Sequence, residues 1–555
     1  MRRSTLRLII LAAGLTTAAC LATPLIRATP QLDLVVAATT DVHGYLRGWD
    51  YYDNVPDTLR GLSRAATIVD SLEKVSAVPP ILVDAGDLLQ GTPLTYVAAR
   101  IDTTIAHPVI LAMNQMHYDA AAVGNHEFNY GLPTLMRAVS QAHFPFLAAN
   151  AYTPDGKQPF RSWSVSTRLG VKVAIVGATT PGSMLWDRDN LAGKLVIRDI
   201  VPDVRRAVNE ARGAGASVVI VLLHSGLNEP SAYDTVTTGT ASENVAARVA
   251  REIPGIDLLV YGHSHREMAD TVIGGTLLMQ PKNWAGSVAI AHLRLQQEGR
   301  HWRVLSKRSQ LVSTARHRES SEILAVTAEG HRAAVRYATT TIGSTPVTWR
   351  ADSSRIVDTP LIDFILEVER KATGAQLAST ASFSLDASLA AGPITVGRAA
   401  ALYPYDNTLR AVKISGAQLR AYLEQSARYF RRDAGGRASI DPSIPSYNYD
   451  MVAGADYTID LRKPIGERIT TLSVGGREVA PTDTFTMALN NYRQTGGGGF
   501  AMLHGAPVVY DRQQEIRQLL IDEVRRKGTL LPADYFHQNW KIIPAADIGR
   551  LLKNP

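Results

Sequence analysis

Between Leu32 and about Leu295 short apolar runs alternate with helical stretches. The runs are Leu34–Ala38, Ile81–Val83, Ala120–Val123, Phe146–Ala148, Val173–Val176, Val218–Leu223, Leu258–Val260 and Thr276–Met279. A strand with one wet face alternates apolar and polar residues. These runs are nearly continuous in Val, Ile, Leu and Ala, so both faces are predicted to be buried, as in a covered parallel sheet. Between them, Pro202–Arg212 repeats apolar residues at Val204, Ala207, Val208 and Ala211 and stops at Gly213, the spacing of a helix. The predicted class is α/β with a layered core.

A second regime begins after His317. His317 to Tyr337 is polar, with apolar residues at Ile323, Val326, Ala334 and Tyr337, which predicts one helix with a single buried stripe. The cluster Gly343-Ser344-Thr345-Pro346 follows as a breaker. Ser415-Gly416-Ala417-Gln418 is a capping box that opens a helix to about Phe430. Asp433 to Tyr449 reads as a long loop, and Tyr457–Leu461, Ile469–Val474 and Thr484–Leu489 as strands, so this part is predicted to be α+β. At 555 residues the chain exceeds one ordinary core. The expected division is a leader at 1–28, a first domain at 29–316, a linker helix at 317–341 and a second domain at 342–555.

The leader reads as a secretory signal. Met1 to Arg7 is basic, Leu8–Leu15 is apolar but too short to span a bilayer, and small residues and Pro24 follow. The chain is therefore expected to be exported to the periplasm. Its only long apolar run leaves with the signal, so no transmembrane helix is predicted in the mature chain. Cys20 is the sole cysteine, which rules out an intramolecular disulfide. It stands where a bacterial lipoprotein would be acylated, although Thr17-Ala18-Ala19 is an imperfect acylation context; loss with the signal is the other outcome. The formal charge of +7 includes four arginines in residues 1–28, leaving +3 for the rest. No Lys/Arg-rich run stands out, so a nucleic acid polymer is not an expected partner. A monomer is expected.

Five of the apolar runs end in turns rich in metal ligands. These are Asp41-Val42-His43-Gly44, Asp84-Ala85-Gly86-Asp87, Gly124-Asn125-His126-Glu127, His224, and Gly262-His263-Ser264-His265. Active sites of open α/β sheets lie off the carboxyl ends of the strands, so these turns should converge. Carboxylate, amide and imidazole ligands without thiolates suit two divalent cations, Mn, Co, Zn, Fe or Mg. One carboxylate must bridge them, and Asp87 is the candidate. A lone D-x-H or G-N-H match is more often a turn, but five in order after buried strands are hard to produce by packing. His107, His117, His143, His292, His301, His317, His331, His504 and His537 lack that context.

This order of motifs resembles the calcineurin-like dinuclear metallophosphoesterases. TTDVHG, DAGDLLQGTPL, GNHEFNYGL, LLHSGL and YGHSHREM are similar to the exported 5′-nucleotidase family within them. GNHEFNYGL, Tyr51-Tyr52-Asp53, Trp186-Asp187 and LYPYDNTL most resemble its 2′,3′-cyclic-nucleotide 2′-phosphodiesterase/3′-nucleotidase branch, and the similarity runs from about residue 32 to about residue 505. The resemblance implies a four-layer sandwich, two sheets flanked by helices, joined by the linker helix to an α+β nucleoside-binding domain. It implies Asp41, His43, Asp87 and His265 at one metal, and Asp87, Asn125, His224 and His263 at the other. His126 would be the catalytic histidine that binds no metal. Asn129 stands where 5′-nucleotidases usually carry the Asp that pairs with that histidine, which favours the cyclic-nucleotide branch.

The second domain holds Tyr403-Pro404-Tyr405-Asp406-Asn407, and Asn490-Asn491-Tyr492-Arg493 ahead of Gly496–Gly499. Two aromatic faces can hold any base by stacking. The resemblance implies that Tyr405 and Tyr492 form that clamp, with Asn407 on the nucleoside. No Arg-rich phosphate clamp is evident around Ser379 to Ser388, which argues against a 5′-nucleotidase. The implied activity is hydrolysis of 2′,3′-cyclic nucleotides, then of 3′-nucleotides, with a dinuclear centre activating water. The competing readings are a 5′-nucleotidase or nucleotide-sugar hydrolase, and an exported nucleotide-binding protein without turnover.

Overall fold

The computed structural model describes residues 29–553 apart from 300 and 434. The expected signal and Cys20 lie outside the described residues. Two six-stranded sheets pack face to face in the first domain. One runs His301–Ser313, Ser287–Glu298, Gln31–Thr39, Ile81–Asp84, Ala120–Ala122, Phe146–Leu147. The other runs Met268–Ile273, Thr276–Gln280, Leu258–Tyr261, Val218–His224, Val171–Thr179, Trp163–Arg168. In each the central strands are parallel.

The burial of these strands explains their unbroken apolar composition. Val36, Ala38, Ile81 and Val83 of the first sheet meet Ile175, Ile220, Leu222 and Val260 of the second in one core between the sheets. The alternate residues Val35, Ala37 and Leu82 face the helices Leu62–Val75, Pro108–Gln115 and Leu132–Gln141. Val219, Val221 and Leu259 face Ile200–Gly213 and Ala246–Glu252. At about 25 cal/mol per Å² of apolar surface, burial on both faces is the main force holding these layers together. The four layers are the sandwich expected from the sequence. The helix predicted from Pro202 opens earlier, because the Asp199 carboxylate accepts the N–H of Val201. Pro202 then falls in the first turn, where no intrahelical N–H is needed.

A separate core, running from Trp349 to Leu551, forms the second domain. Its five-stranded sheet runs Asp450–Ala453, Leu377–Ala381, Thr484–Asn490, Thr408–Ser415, Val508–Glu515. The capping box is present: Ser415 Oγ accepts from Gln418 N at 3.1 Å and Gln418 Oε1 accepts from Ser415 N at 2.8 Å.

Three expectations are corrected. The single helix expected over 317–341 is two, Ser321–Val326 and Ala328–Thr339. Thr327 separates them; its hydroxyl bonds the Ile323 carbonyl at 2.6 Å, a back-bond that bends helices. Val326 therefore leaves the buried stripe, while Ile323 and Ala334 keep it. Gly343-Ser344-Thr345 is no breaker; it belongs to the strand Thr341–Thr345, paired with Gly392–Thr395. The helix from Ser415 ends at Ala427, and Phe430–Arg432 pairs with Ala438–Ile440 inside the segment expected to be loop.

The two domains touch through polar groups. Tyr130 donates its hydroxyl to Asp406 at 2.8 Å, and Asp406 pairs with buried Arg517 at 2.6 Å. Asn491 Nδ2 donates to the Trp186 carbonyl at 2.9 Å, and Arg410 pairs with Asp189. Among the described residues no helix is long and apolar enough to cross a membrane.

Candidate metal centre

Five turns carry seven side chains to one place, off the carboxyl ends of parallel strands. Asp41, His43 and His265 offer ligand atoms within 4.8 Å of one another; so do Asp87, His224 and His263. Asp87 joins the two groups, with Oδ2 3.0 Å from His224 Nε2 and 3.6 Å from His43 Nε2. Asn125 Oδ1 lies 3.0 Å from His224 Nε2. All seven candidate ligands converge.

The backbone is bent to achieve this. Asp41, His43, Asp87, His263 and His265 all have φ between 49° and 72°, a region that costs an L-residue about 1–2 kcal/mol. Five such residues at one spot persist only because their surroundings over-determine them. The Glu127 carboxylate, fully buried, accepts the N–H groups of Asp87, Leu88, Leu89 and Gly124 at 2.5–3.1 Å. Gly124 must be glycine, because a Cβ there would stand 2.2 Å from Asp87 Oδ1. The Asp41 carboxylate accepts the His263 N–H at 3.1 Å.

The donor set fits divalent cations. His43 Nδ1 faces the Gln90 carbonyl at 3.0 Å and His224 Nδ1 the Ala85 carbonyl at 2.9 Å. Each carbonyl accepts a proton from Nδ1, which leaves Nε2 as the lone-pair atom in the neutral ring. His43 Nε2 then meets His265 Nε2 at 3.2 Å, two nitrogens that only a proton or a cation can reconcile. Burial holds His43 down to about 4, so a proton is disfavoured there. Burial also works against charge on Asp41, but the His265 contact outweighs it and holds the carboxyl at about 2. Burial opposes charge on His224 as well, yet the Asp87, Asp41 and Glu127 carboxylates hold it up at about 10. A pocket that pulls so hard on one proton is net negative and favours cations.

His126 is not among the seven, yet its ring faces the same space, with its centroid 5.0 Å from that of His43. Its Nδ1 lies 2.6 Å from Asn129 Oδ1. Burial opposes charge on His126; the Asp87 carboxylate, Asn129 and Asp187 outweigh it and raise the group. Sequence motifs alone do not assign Glu127, Glu243 or the role of Asp187. Glu243 Oε1 stands 3.2 Å from His263 Nε2, a carboxylate behind a candidate ligand that orients its ring. Trp186 stacks on His263, centroids 5.6 Å apart and planes 26° apart. Glu127 and Trp186-Asp187 belong to motifs in the chain, but Glu127 reaches 40 residues back to Asp87, Asp187 meets Asn129 58 residues away and Trp186 meets His263 77 residues away, and such contacts leave no local signal.

In the second domain, Tyr405 is exposed at its rim and meets Phe383 edge-on at 5.1 Å. Tyr492 is half-buried in the one-turn helix Asn491–Gln494. Tyr447, in the segment expected to be loop, neighbours both rings and raises both hydroxyls after burial does. Asn407 Nδ2 reaches the Tyr403 hydroxyl at 3.4 Å.

The calcineurin-like phosphoesterase family matches residues 34–267, and the 5′-nucleotidase C-terminal domain family matches residues 339–505. The chain is 30% identical over 603 residues to the 2′,3′-cyclic-nucleotide 2′-phosphodiesterase/3′-nucleotidase of Haemophilus influenzae, covering 94% of this chain and 89% of that one. It is 28% identical to the trifunctional nucleotide phosphoesterase of Bacillus subtilis, over 94% of this chain but only 39% of that longer protein. A crystal structure of a Staphylococcus aureus protein named for 5′-nucleotidase superposes with a TM-score of 0.78 at 25% identity, covering 92% of this chain and 99% of that one.

Proposed function

The chain belongs to the 5′-nucleotidase family of calcineurin-like phosphoesterases, and on that premise we propose that it hydrolyses 2′,3′-cyclic nucleotides to 3′-nucleotides and 3′-nucleotides to nucleosides and phosphate. It is a hydrolytic enzyme of the metallophosphoesterase type, with candidate His/Asp ligand groups for divalent metal. The observation that carries the branch is Asn129, whose amide oxygen, not a carboxylate, meets His126 at 2.6 Å. The near full-length similarity to the Haemophilus phosphodiesterase supports it. Export to the periplasm belongs to the same proposal, supported by the leader composition.

Two divalent cations held by Asp41, His43, Asp87, His265, Asn125, His224 and His263 would make water nucleophilic at neutral pH and stabilise phosphoryl charge. The chain's own groups do the rest. His126 donates the proton that the leaving 2′-oxygen needs as the P–O2′ bond breaks and water's oxygen bonds phosphorus. The 3′-monophosphate re-binds, and the same histidine serves the 3′-oxygen. Tyr405 and Tyr492 stack on the base, and Asn407 contacts the nucleoside, so base discrimination is weak.

A substrate panel tests this. With Mn or Co, 2′,3′-cyclic AMP and 3′-AMP are expected to be turned over and 5′-AMP to be poor. Preference for 5′-AMP by a wide margin would move the protein to the 5′-nucleotidase branch. The clamp has its own test. Stacking is worth about 1–3 kcal/mol per base, so Tyr405→Ala or Tyr492→Ala should raise KM for 3′-AMP roughly 5- to 150-fold. A small aryl phosphodiester should be spared; equal loss on both substrates would remove the rings from the site.

A further inference from the structure

Asn129 does not end at His126. Its Nδ2 donates to Asp187 Oδ1 at 3.0 Å, so a carboxylate stands one residue further out than in a direct His–Asp pair. Asp187 is 6% exposed, and its other oxygen has no hydrogen-bond partner among the described residues. Among the described residues the only other hydrogen bond to the carboxylate comes from Asn190 Nδ2 at 3.5 Å.

We propose that Asp187 is a positioning residue for His126, acting through the Asn129 amide. An ionised carboxylate only accepts hydrogen bonds, so it admits Asn129 with its NH₂ outward and its oxygen toward the histidine. That oxygen only accepts, so His126 Nδ1 must carry a proton. Nε2 is then the atom that, in the imidazolium form, carries the proton His126 gives to the leaving oxygen. The relay thus sets the amide orientation and the ring tautomer, the role a direct carboxylate would play. The corner is built to hold still. Asn190 Nδ2 donates to the Phe128 carbonyl at 2.9 Å, Asn491 of the second domain grips the Trp186 carbonyl, and Asp189 pairs with Arg410. Two of the three contacts come from the second domain, so both domains hold the segment around Asp187.

This rests on the phosphoesterase reading of the site, and the test separates the two. Asp187→Ala should lower kcat on 2′,3′-cyclic AMP about 10- to 100-fold, the range for partners behind a catalytic group, with KM within about threefold. Asn129→Asp alone should do worse, because it sets two buried carboxylates 3.0 Å apart. The swap Asn129→Asp/Asp187→Asn places the carboxylate directly on His126 and the amide behind it, and should recover kcat to within about threefold of the parent. Recovery by the swap is an outcome that a merely structural role would not give. A swap no better than Asn129→Asp, or Asp187→Ala with unchanged kcat, overturns the proposal. Nitrogen NMR of ¹⁵N-histidine-labelled protein, with His126 identified by its loss in His126→Ala, gives a readout without turnover. The parent should show Nδ1 protonated in the neutral ring, and Asp187→Ala a mixture of tautomers. An unchanged tautomer in a folded Asp187→Ala protein overturns the proposal even if no phosphoester is a substrate.

Discussion

Asp87→Asn is expected to lose both metal and turnover, with kcat/KM falling on the order of 10³-fold or more and metal content dropping below two per chain. Asp87 is the carboxylate shared between the candidate groups, 3.0 Å from His224 and 3.6 Å from His43. Burial works against its charge, but His224, His126 and His43 hold it well below the usual carboxylate range. The amide keeps the shape and the bond from His126 N–H to Oδ1, 2.8 Å in the parent, while removing the charge that would offset two cations. Several kcal/mol of transition-state stabilisation go with it, and each 1.36 kcal/mol is tenfold in rate. Elemental analysis after dialysis, beside kinetics on 2′,3′-cyclic AMP, checks it. Two metals retained at full affinity would show that Asp87 does not bridge.

His126→Ala should separate chemistry from metal binding. Both metals should remain, KM should stay within a few-fold, and kcat should fall about 10²- to 10⁴-fold, the range for a positioned proton donor. The loss should shrink with the leaving group. An aryl phosphodiester expels a phenolate that needs little protonation, so its penalty should approach tenfold or less. An equal penalty on cyclic nucleotide and aryl ester would make His126 a stabiliser of phosphoryl charge instead of a proton donor. Loss of metal would make it a ligand.

Much of the site was legible in the chain. Strands buried on both faces announce themselves by continuous Val, Ile and Leu, because neither face must be wet. The turns that leave them carry Asp41, His43, Asp87, Asn125, His224, His263 and His265, and parallel order sends those turns to one edge. The capping box at Ser415 was equally plain, since it is complete within four residues. What was misread depended on distant partners. Thr341–Thr345 reads as a breaker until Gly392–Thr395 pairs with it, and the helix over 317–341 reads as continuous until Thr327 turns its hydroxyl onto Ile323.

The sequence by itself determined the class of fold, the set of candidate ligands and the Asn at position 129, because periodicity and residue chemistry are local properties. Only the tertiary structure decided how those residues act together. It set five of the candidate ligands at positive φ and fixed one of them, Asp87, through Glu127 from another turn. It placed the Asp87 carboxylate between His43 and His224. It also answered what the Asn at 129 leaves open, by bringing Asp187, 58 residues away, against the amide. Hydrogen bonds and charge act over a few ångströms of space, and the distance along the chain does not report which groups will share that space.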